Sequence, residues 1–237
     1  MKSNVKWNLK IKNSAEKAEI WIYGNIIDDV DGGFLKAYHA DEGYVFPAKI
    51  REQLDEIGDK PVSLYFASDG GDVNAGFAIA SIIQRLKGKT TAYIDSWAAS
   101  IASVIALACD KVIMPENTFL MIHNPSTICW GNAAELRQCA DLLDTMRDSI
   151  IKIYKAHASE ETDFVKLMDE ETWLNAEDAS KIWNHVERAE ASTKAVAYFT
   201  GYDKAPDCIK RHEEEAVTPV DYSDLIKQAQ EVLEDGK

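Results

Sequence analysis

The chain has 237 residues, 46% of them hydrophobic, which is enough to bury a core of its own in one domain with appendages. Its 40 acidic and 26 basic side chains give a formal net charge of -14, which repels a phosphate backbone and excludes nucleic-acid binding as a function class. No apolar run approaches the roughly 20 residues of a membrane helix, and the polar start from Met1 to Asn13 lacks a signal peptide's apolar stretch, so a cytoplasmic protein without membrane contact is expected. The four cysteines, Cys109, Cys129, Cys139 and Cys208, include no C-x-x-C pair. Buried free thiols are expected of them, not a disulfide framework or a zinc site.

In chain order, Trp7 to Lys12 and Ala18 to Ile26 read as two strands joined through the polar stretch Asn13 to Lys17, a hairpin. Asp28 to Gly33 reads as a turn-rich stretch. Pro47 to Ile57 has helical spacing at Ile50, Leu54 and Ile57, with proline at the tolerated first turn and Gly58 to end it. Strand and helix then alternate. Val62 to Ala67 is a strand, Ser68-Asp69-Gly70-Gly71 a turn, Asn74 to Leu86 an apolar helix, Thr90 to Asp95 a strand, Ala99 to Ala108 a buried helix of small and branched residues. Lys111 to Met114 and Thr118 to His123 are short strands. This alternation predicts an α/β domain with a mainly parallel sheet.

From Ala133 to His157, Leu136, Cys139, Leu143, Met146, Ile150 and Ile153 recur in steps of three and four. That is the seam of a helix packing along a partner, or an amphipathic helix lying on its own domain. Asn132 with Glu135 forms a capping-box start. Residues 202–237 hold ten acidic and five basic side chains, and the boundary is drawn at residue 200, with 201–237 an acidic extension ending in a short amphipathic helix.

Four places could carry chemistry. Ser100 lies where a strand ends and a helix begins, among Ala98, Ala99 and Ala102, small enough for a sharp turn that turns a hydroxyl out of the sheet. Ser103, one turn inside the helix, is the weaker nucleophile candidate because its hydroxyl can bond back to a carbonyl. Gly70-Gly71 lets backbone N–H groups approach a ligand, as an oxyanion site requires; neither G-x-G-x-x-G nor G-K-[ST] follows, so a phosphate loop fits poorly. His123 ends the apolar strand Phe119 to Ile122, just before Asn124-Pro125, and the carboxylates Asp169, Glu170 and Glu171 precede Thr172 to Ala176. Taken alone they read more readily as a helix cap, an ordinary βα turn, a structural histidine and a solvated helix end; their weight comes from order and joint presence.

In their order, Ser68-Asp69-Gly70-Gly71, Ala98-Ala99-Ser100-Ile101-Ala102-Ser103 and Met121-Ile122-His123-Asn124-Pro125 resemble the proteolytic subunit of Clp proteases, and most of all its phage and prophage head-maturation relatives. The resemblance runs from about Trp7 to Ala189. It implies the α/β spiral core of the Clp-protease/crotonase type, with residues 133–157 as a protruding handle helix. Ser100 would be the nucleophile of a serine endopeptidase, His123 its base, and the N–H groups of Gly71 and Ile101 its oxyanion donors. The triad acid falls at Glu171 by its distance to Trp173-Leu174-Asn175-Ala176, with Asp169 as the alternative, since the housekeeping enzymes carry Asp there. The family's proline before the glycine pair is Asp69 here, and its glycine four residues before the nucleophile is Ser96; either change is expected to slow the enzyme. Asn184 stands near a usual turn glycine and would take its left-handed conformation. No cofactor or metal enters the implied chemistry. The implied partners are further copies of the chain in stacked rings, a peptide or protein substrate, and an AAA+ unfoldase if the subunit is degradative. A capsid or scaffold protein is the expected substrate. The alternatives are an ATPase-fed degradative subunit, a crotonase-type acyl-CoA enzyme, and an inactive structural subunit.

Overall fold

The computed structural model describes residues 10–14, 16–41, 43–52, 57–158 and 162–190. Strand β1 (Lys10–Asn13) pairs antiparallel with β2 (Ala18–Ile26) in the expected hairpin; Trp7 to Leu9 lie outside the described residues. β2 leads into a parallel sheet with β4 (Val62–Gly71), β5 (Thr90–Ala99), β6 (Lys111–Pro115) and β9 (Val186–Ala189), in the order β1-β2-β4-β5-β6-β9, with the short β3 (Tyr44–Val45) also parallel to β2. A branch leaves this path at the end of β5: β7 (Phe119–Ile122) runs parallel to it, and β8 (Thr172–Asn175) pairs antiparallel with β7.

The period-2 alternation of β2, β4 and β5 turns Ala18, Ile20, Ile22, Val62, Leu64, Phe66, Ala92 and Ile94 into one core. Helices α3 (Val73–Gln84) and α4 (Ile101–Leu107), the crossovers after β4 and β5, supply Ile79, Ile82, Val104 and Ile105 to the same core. On the opposite face the half-buried rings of Trp21, Tyr65 and Tyr93 stack across three strands, with centroids 5.0 and 5.2 Å apart.

Several elements differ from expectation. Asp28 to Gly33 is not a turn but the start of α1 (Asp29–Ala37): the Asp28 carboxylate accepts the N–H groups of Val30 and Asp31, each at 2.8 Å, and caps it. Gly32 is there for packing, because a Cβ would fall 2.3 Å from the Phe46 ring. Helix α2 (Pro47–Arg51) starts at the expected proline, and Gly58 takes φ 61 where the helix was expected to end, while 53–56 lie outside the described residues. Ser68 to Gly71 is the last stretch of β4 and not a free turn, because Asn25 and Ile26 pair with Gly70 and Gly71. Asn184 is not left-handed; among described residues other than glycine, that conformation falls to His39, Ser100 and Glu171.

The long helix α5 (Ala133–Lys155) begins with the expected capping box between Asn132 and Glu135. Its 23 residues make a rod of about 35 Å. Only its end is buried, through Ile150, Ile151 and Tyr154, while Leu136 and Leu142 are 45% and 54% exposed. The first two thirds therefore stand off the body as a handle. Ile150, placed on the contact seam by its spacing, belongs to the chain's own core. At the base, Tyr154 packs on Phe164 of α6 (Phe164–Asp169) and on Trp183, just after α7 (Ala176–Ile182), with centroids 5.7 and 5.9 Å away. The indole N–H of Trp183 donates to the Tyr154 carbonyl at 2.8 Å. The Tyr154 hydroxyl meets Ser103 Oγ at 2.8 Å, and since Ser103 spends its one proton on the Ser100 carbonyl at 2.6 Å, Tyr154 is the donor.

The cysteines also depart from expectation. Cys129 and Cys139 form a disulfide, because the first turns of α5 bring Cys139 back over the segment that leads into the helix. Cys109 is a free, buried thiol, as expected, and burial pushes its pKa up to about 12. Cys208 and the whole acidic extension 201–237 lie outside the described residues.

Replacing Tyr154 with Phe keeps the ring packing and removes one buried hydrogen bond. It should lower stability by about 1 kcal/mol, read as a lower denaturant midpoint with unchanged slope; an unchanged midpoint would show that the hydroxyl bond contributes nothing net.

Candidate active site

The centre of the site is the break between β5 and α4. Ser100, the single residue between them, has φ 53 and ψ -129, a conformation that a residue with a Cβ adopts only under external constraint. The constraint is visible. The Ser100 N–H donates to the Met121 carbonyl of β7 at 2.9 Å, and its own carbonyl accepts the Ser103 N–H at 3.0 Å and the Ser103 hydroxyl at 2.6 Å. Ala98, Ala99 and Ala102 around it are fully buried and leave no room for larger side chains. Ser103 is itself fully buried, with its hydroxyl committed to Ser100 and Tyr154. It belongs to the scaffold of the elbow.

The bond from Ser100 to Met121 ties the elbow to the strand that ends at His123. There the imidazole Nε2 lies 2.7 Å from Ser100 Oγ. The β7–β8 register pairs Ile122 with Thr172, so the next step of the ladder sets His123 opposite Glu171. Glu171 reaches this position with φ 48, at the tight connection from α6 into β8. Burial lowers the His123 pKa below its ordinary value, and the negative charge of Glu171 opposes that by raising it. Asp169 is exposed and its carboxylate accepts the Asn124 amide at 2.7 Å. Of the two carboxylates considered from sequence, Glu171 thus faces the histidine and Asp169 binds the next residue along.

The glycine pair approaches from β4. Gly70 and Gly71 have φ 95 and 142. A Cβ on Gly71 would fall 2.0 Å from the Ile26 carbonyl oxygen, and one on Gly70 would fall 2.8 Å from both the Ala99 carbonyl oxygen and Ser100 Cβ, so both positions require glycine. The Ser68 hydroxyl donates to the Gly24 carbonyl at 2.6 Å and accepts the Gly70 N–H at 3.1 Å, fixing the approach. Ile101, the first residue of α4, is buried and opens the helix whose first N–H groups have no carbonyl inside it. A cleft of about 220 Å³ runs from Gly71 and Asn74 along Pro125 and Thr127 to Leu143 and Met146 of the handle.

Against this geometry the comparisons are specific. The family model described as Clp protease matches residues 51–182. The chain belongs to the Clp protease family. It is 36% identical over 124 residues to the ATP-dependent Clp protease proteolytic subunit 2 of Treponema denticola, an alignment covering 51% of this chain and 62% of that relative. It is 30% identical over 145 residues to proteolytic subunit 1 of Protochlamydia amoebophila, covering 56% and 70%. A solved structure of a ClpP1 variant from Listeria monocytogenes superposes with a TM-score of 0.55 at 23% identity, over 73% of this chain and 91% of that one. The α/β architecture expected from the sequence is therefore the fold of the Clp protease family.

Three features of the site were not read from the sequence. Tyr154 supports the elbow through Ser103, Asp69 accepts the Trp97 indole N–H at 2.7 Å, and the Tyr23 hydroxyl binds Asp95. The readable signal was Trp97 itself, since a buried indole N–H needs an acceptor.

His123 should titrate below 6.5 in a histidine NMR experiment, because burial outweighs the nearby carboxylate. Glu171→Gln removes the charge that favours the imidazolium, so the titration should move further down. An upward move, or no change, would place Glu171 out of reach of the ring.

Proposed function

We propose that the chain is a serine endopeptidase in which Ser100 attacks the scissile carbonyl and His123 acts as general base. The observation that carries this reading is the 2.7 Å contact between His123 Nε2 and Ser100 Oγ at a strained elbow. His123 takes the Ser100 proton as the Oγ–carbon bond forms, and the oxyanion is received by the N–H groups of Gly71 and Ile101. The imidazolium, stabilised by Glu171, returns the proton to the leaving amine as the peptide C–N bond breaks. Water then adds to the acyl-enzyme by the same proton route and frees Ser100. No step needs a cofactor, metal or nucleotide. The cleft beside Gly71 would hold an extended peptide.

For the biological substrate, the reading is maturation of a phage or prophage capsid or scaffold protein, supported by the resemblance of the three motif runs to that branch. The names of the relatives, ATP-dependent Clp protease proteolytic subunits, favour a second reading, a degradative subunit fed by an AAA+ unfoldase. Cleavage of a casein-like unfolded protein only when an unfoldase is added would select the second; cleavage of a capsid precursor without nucleotide would select the first. In both, copies of the chain would assemble into rings in the cytoplasm, with the exposed apolar side chains of the handle, Leu136 and Leu142, in the contact. A crotonase-type acyl-CoA enzyme would have no use for a serine bonded to a histidine, and an inactive structural subunit would not need the strain at Ser100.

A serine-reactive fluorophosphonate should label the wild-type chain, and Ser100→Ala should abolish labelling and peptide hydrolysis while leaving the assembly's sedimentation unchanged; labelling that survives in the variant sinks the assignment. Glu171→Gln should cut kcat by about 10²- to 10⁴-fold with KM nearly unchanged, whereas Asp169→Asn should have a far smaller effect; the reverse ranking would make Asp169 the acid. Glutamate at Leu136 and Leu142 together should lower the sedimenting mass without lowering the melting temperature, and an unchanged mass would remove this face from the contact.

A further inference from the structure

We propose that Asp69 is a positioning residue that locks the oxyanion turn in register with the nucleophile by accepting the indole N–H of Trp97. The inference rests on the peptidase reading above and concerns how its two halves, which arrive on different strands, are held together.

The backbone alone holds them weakly. The parallel ladder between β4 and β5 runs regularly from Val62–Thr90 to Phe66–Ile94, then slips, and resumes only at Ser68–Ala98. Across that slip one residue of β4, Ala67, faces three of β5: Asp95, Ser96 and Trp97. A single backbone pair thus remains to set the glycine turn against Ser100. Immediately beyond it, the carboxylate of Asp69 bridges back across the gap to Trp97 Nε1 at 2.7 Å. The next residue, Gly70, is already pressed against Ala99 and Ser100. The Asp69–Trp97 bond therefore flanks the place where Gly70 comes against the nucleophile.

The far end of the bond is firmly fixed. Trp97 is 3% exposed and packs with Ala99 and Met121, and with Phe119 and Trp173 at their edge. Met121 and Phe119 belong to β7, which presents His123, and Trp173 to β8, which follows Glu171. One side chain of β4 is thereby tied to the strands carrying all the other proposed groups. Asp69 is itself largely buried; burial raises its pKa, and the bond from Trp97 opposes the rise. The bond gives the buried indole N–H of Trp97 the acceptor it needs. In place of the family's proline, which would restrict the turn through its ring, this chain has a bond from outside the turn.

The test uses the full chain with Asp69→Ala, Asp69→Asn and Trp97→Phe, each assayed with the fluorophosphonate probe, for kcat and KM on a fluorogenic peptide, and by amide hydrogen exchange over the glycine turn. Asp69→Ala and Trp97→Phe should lower kcat by roughly ten- to a hundredfold with KM within about twofold, the cost of misplacing a reacting group. Both should speed exchange in the turn by about tenfold, the loss of one hydrogen bond. Asp69→Asn keeps an acceptor oxygen and should retain kcat and exchange protection. The proposal is overturned if Trp97→Phe keeps wild-type kcat and exchange, whatever Asp69→Ala does, or if Asp69→Asn is as impaired as Asp69→Ala, since charge and not the bond would then matter. A wild-type chain that neither labels nor hydrolyses peptide would sink the peptidase reading instead, and the exchange rates would still decide whether the bond holds the turn.

Discussion

Ser100 is held at φ 53 and ψ -129 between a strand and a helix, and most of the architecture around it can be understood as what keeps it there. Such a conformation costs of order 1–3 kcal/mol and persists only where the surroundings leave no alternative. Here the N–H is bound by β7, the carbonyl by Ser103, and the Cβ is hemmed in by Gly70. The alanines of the elbow are part of the same constraint, since any larger side chain would have to share space with the core beneath α4.

The support extends further than the first neighbours. Tyr154 carries it to the foot of the handle and, through Trp183, to the region just past α7. A helix that is mostly exposed over its outer two thirds is in this way attached, at its buried end, to the serine. Burial and charge are balanced at His123 in a comparable manner. Loss of solvent favours the neutral imidazole that can accept a proton, while Glu171 favours the cation formed once it has done so.

Much of this was legible in the chain. The strand Ala18–Ile26 and the long helix follow from periodicity, and the pairing of Ser100 with His123 from the order of motifs. What was not legible depends on contacts distant in sequence. Asp28 to Gly33 looks like a turn because glycine disfavours helix; it is a helix capped by Asp28, and Gly32 stands in it because Phe46 takes the space a Cβ would need. Ser68 to Gly71 looks like a loop until β2 is found beside it. That Glu171 and not Asp169 lies opposite His123 follows from the register of β7 on β8, and register is not written in local composition. The Cys129–Cys139 disulfide escaped for a related reason: a ten-residue spacing suggests nothing until the start of a helix folds back on its approach.

The branch of the sheet that carries His123 has a consequence for the order in which the molecule can be made. β7 is bounded on one side by β5, already synthesised, and on the other by β8, which begins some fifty residues later at Thr172. A chain emerging from a ribosome holds serine and histidine long before it holds the strand that seats the histidine and the Tyr154–Trp183 contact that braces the elbow. The ties of the elbow to Gly70, Ser103 and Met121 can form early, whereas its bracing by Tyr154 and Trp183 needs nearly the whole described domain. The step that sets His123 opposite Glu171, the pairing of β7 with β8, is thus placed late in the making of the described domain by topology alone.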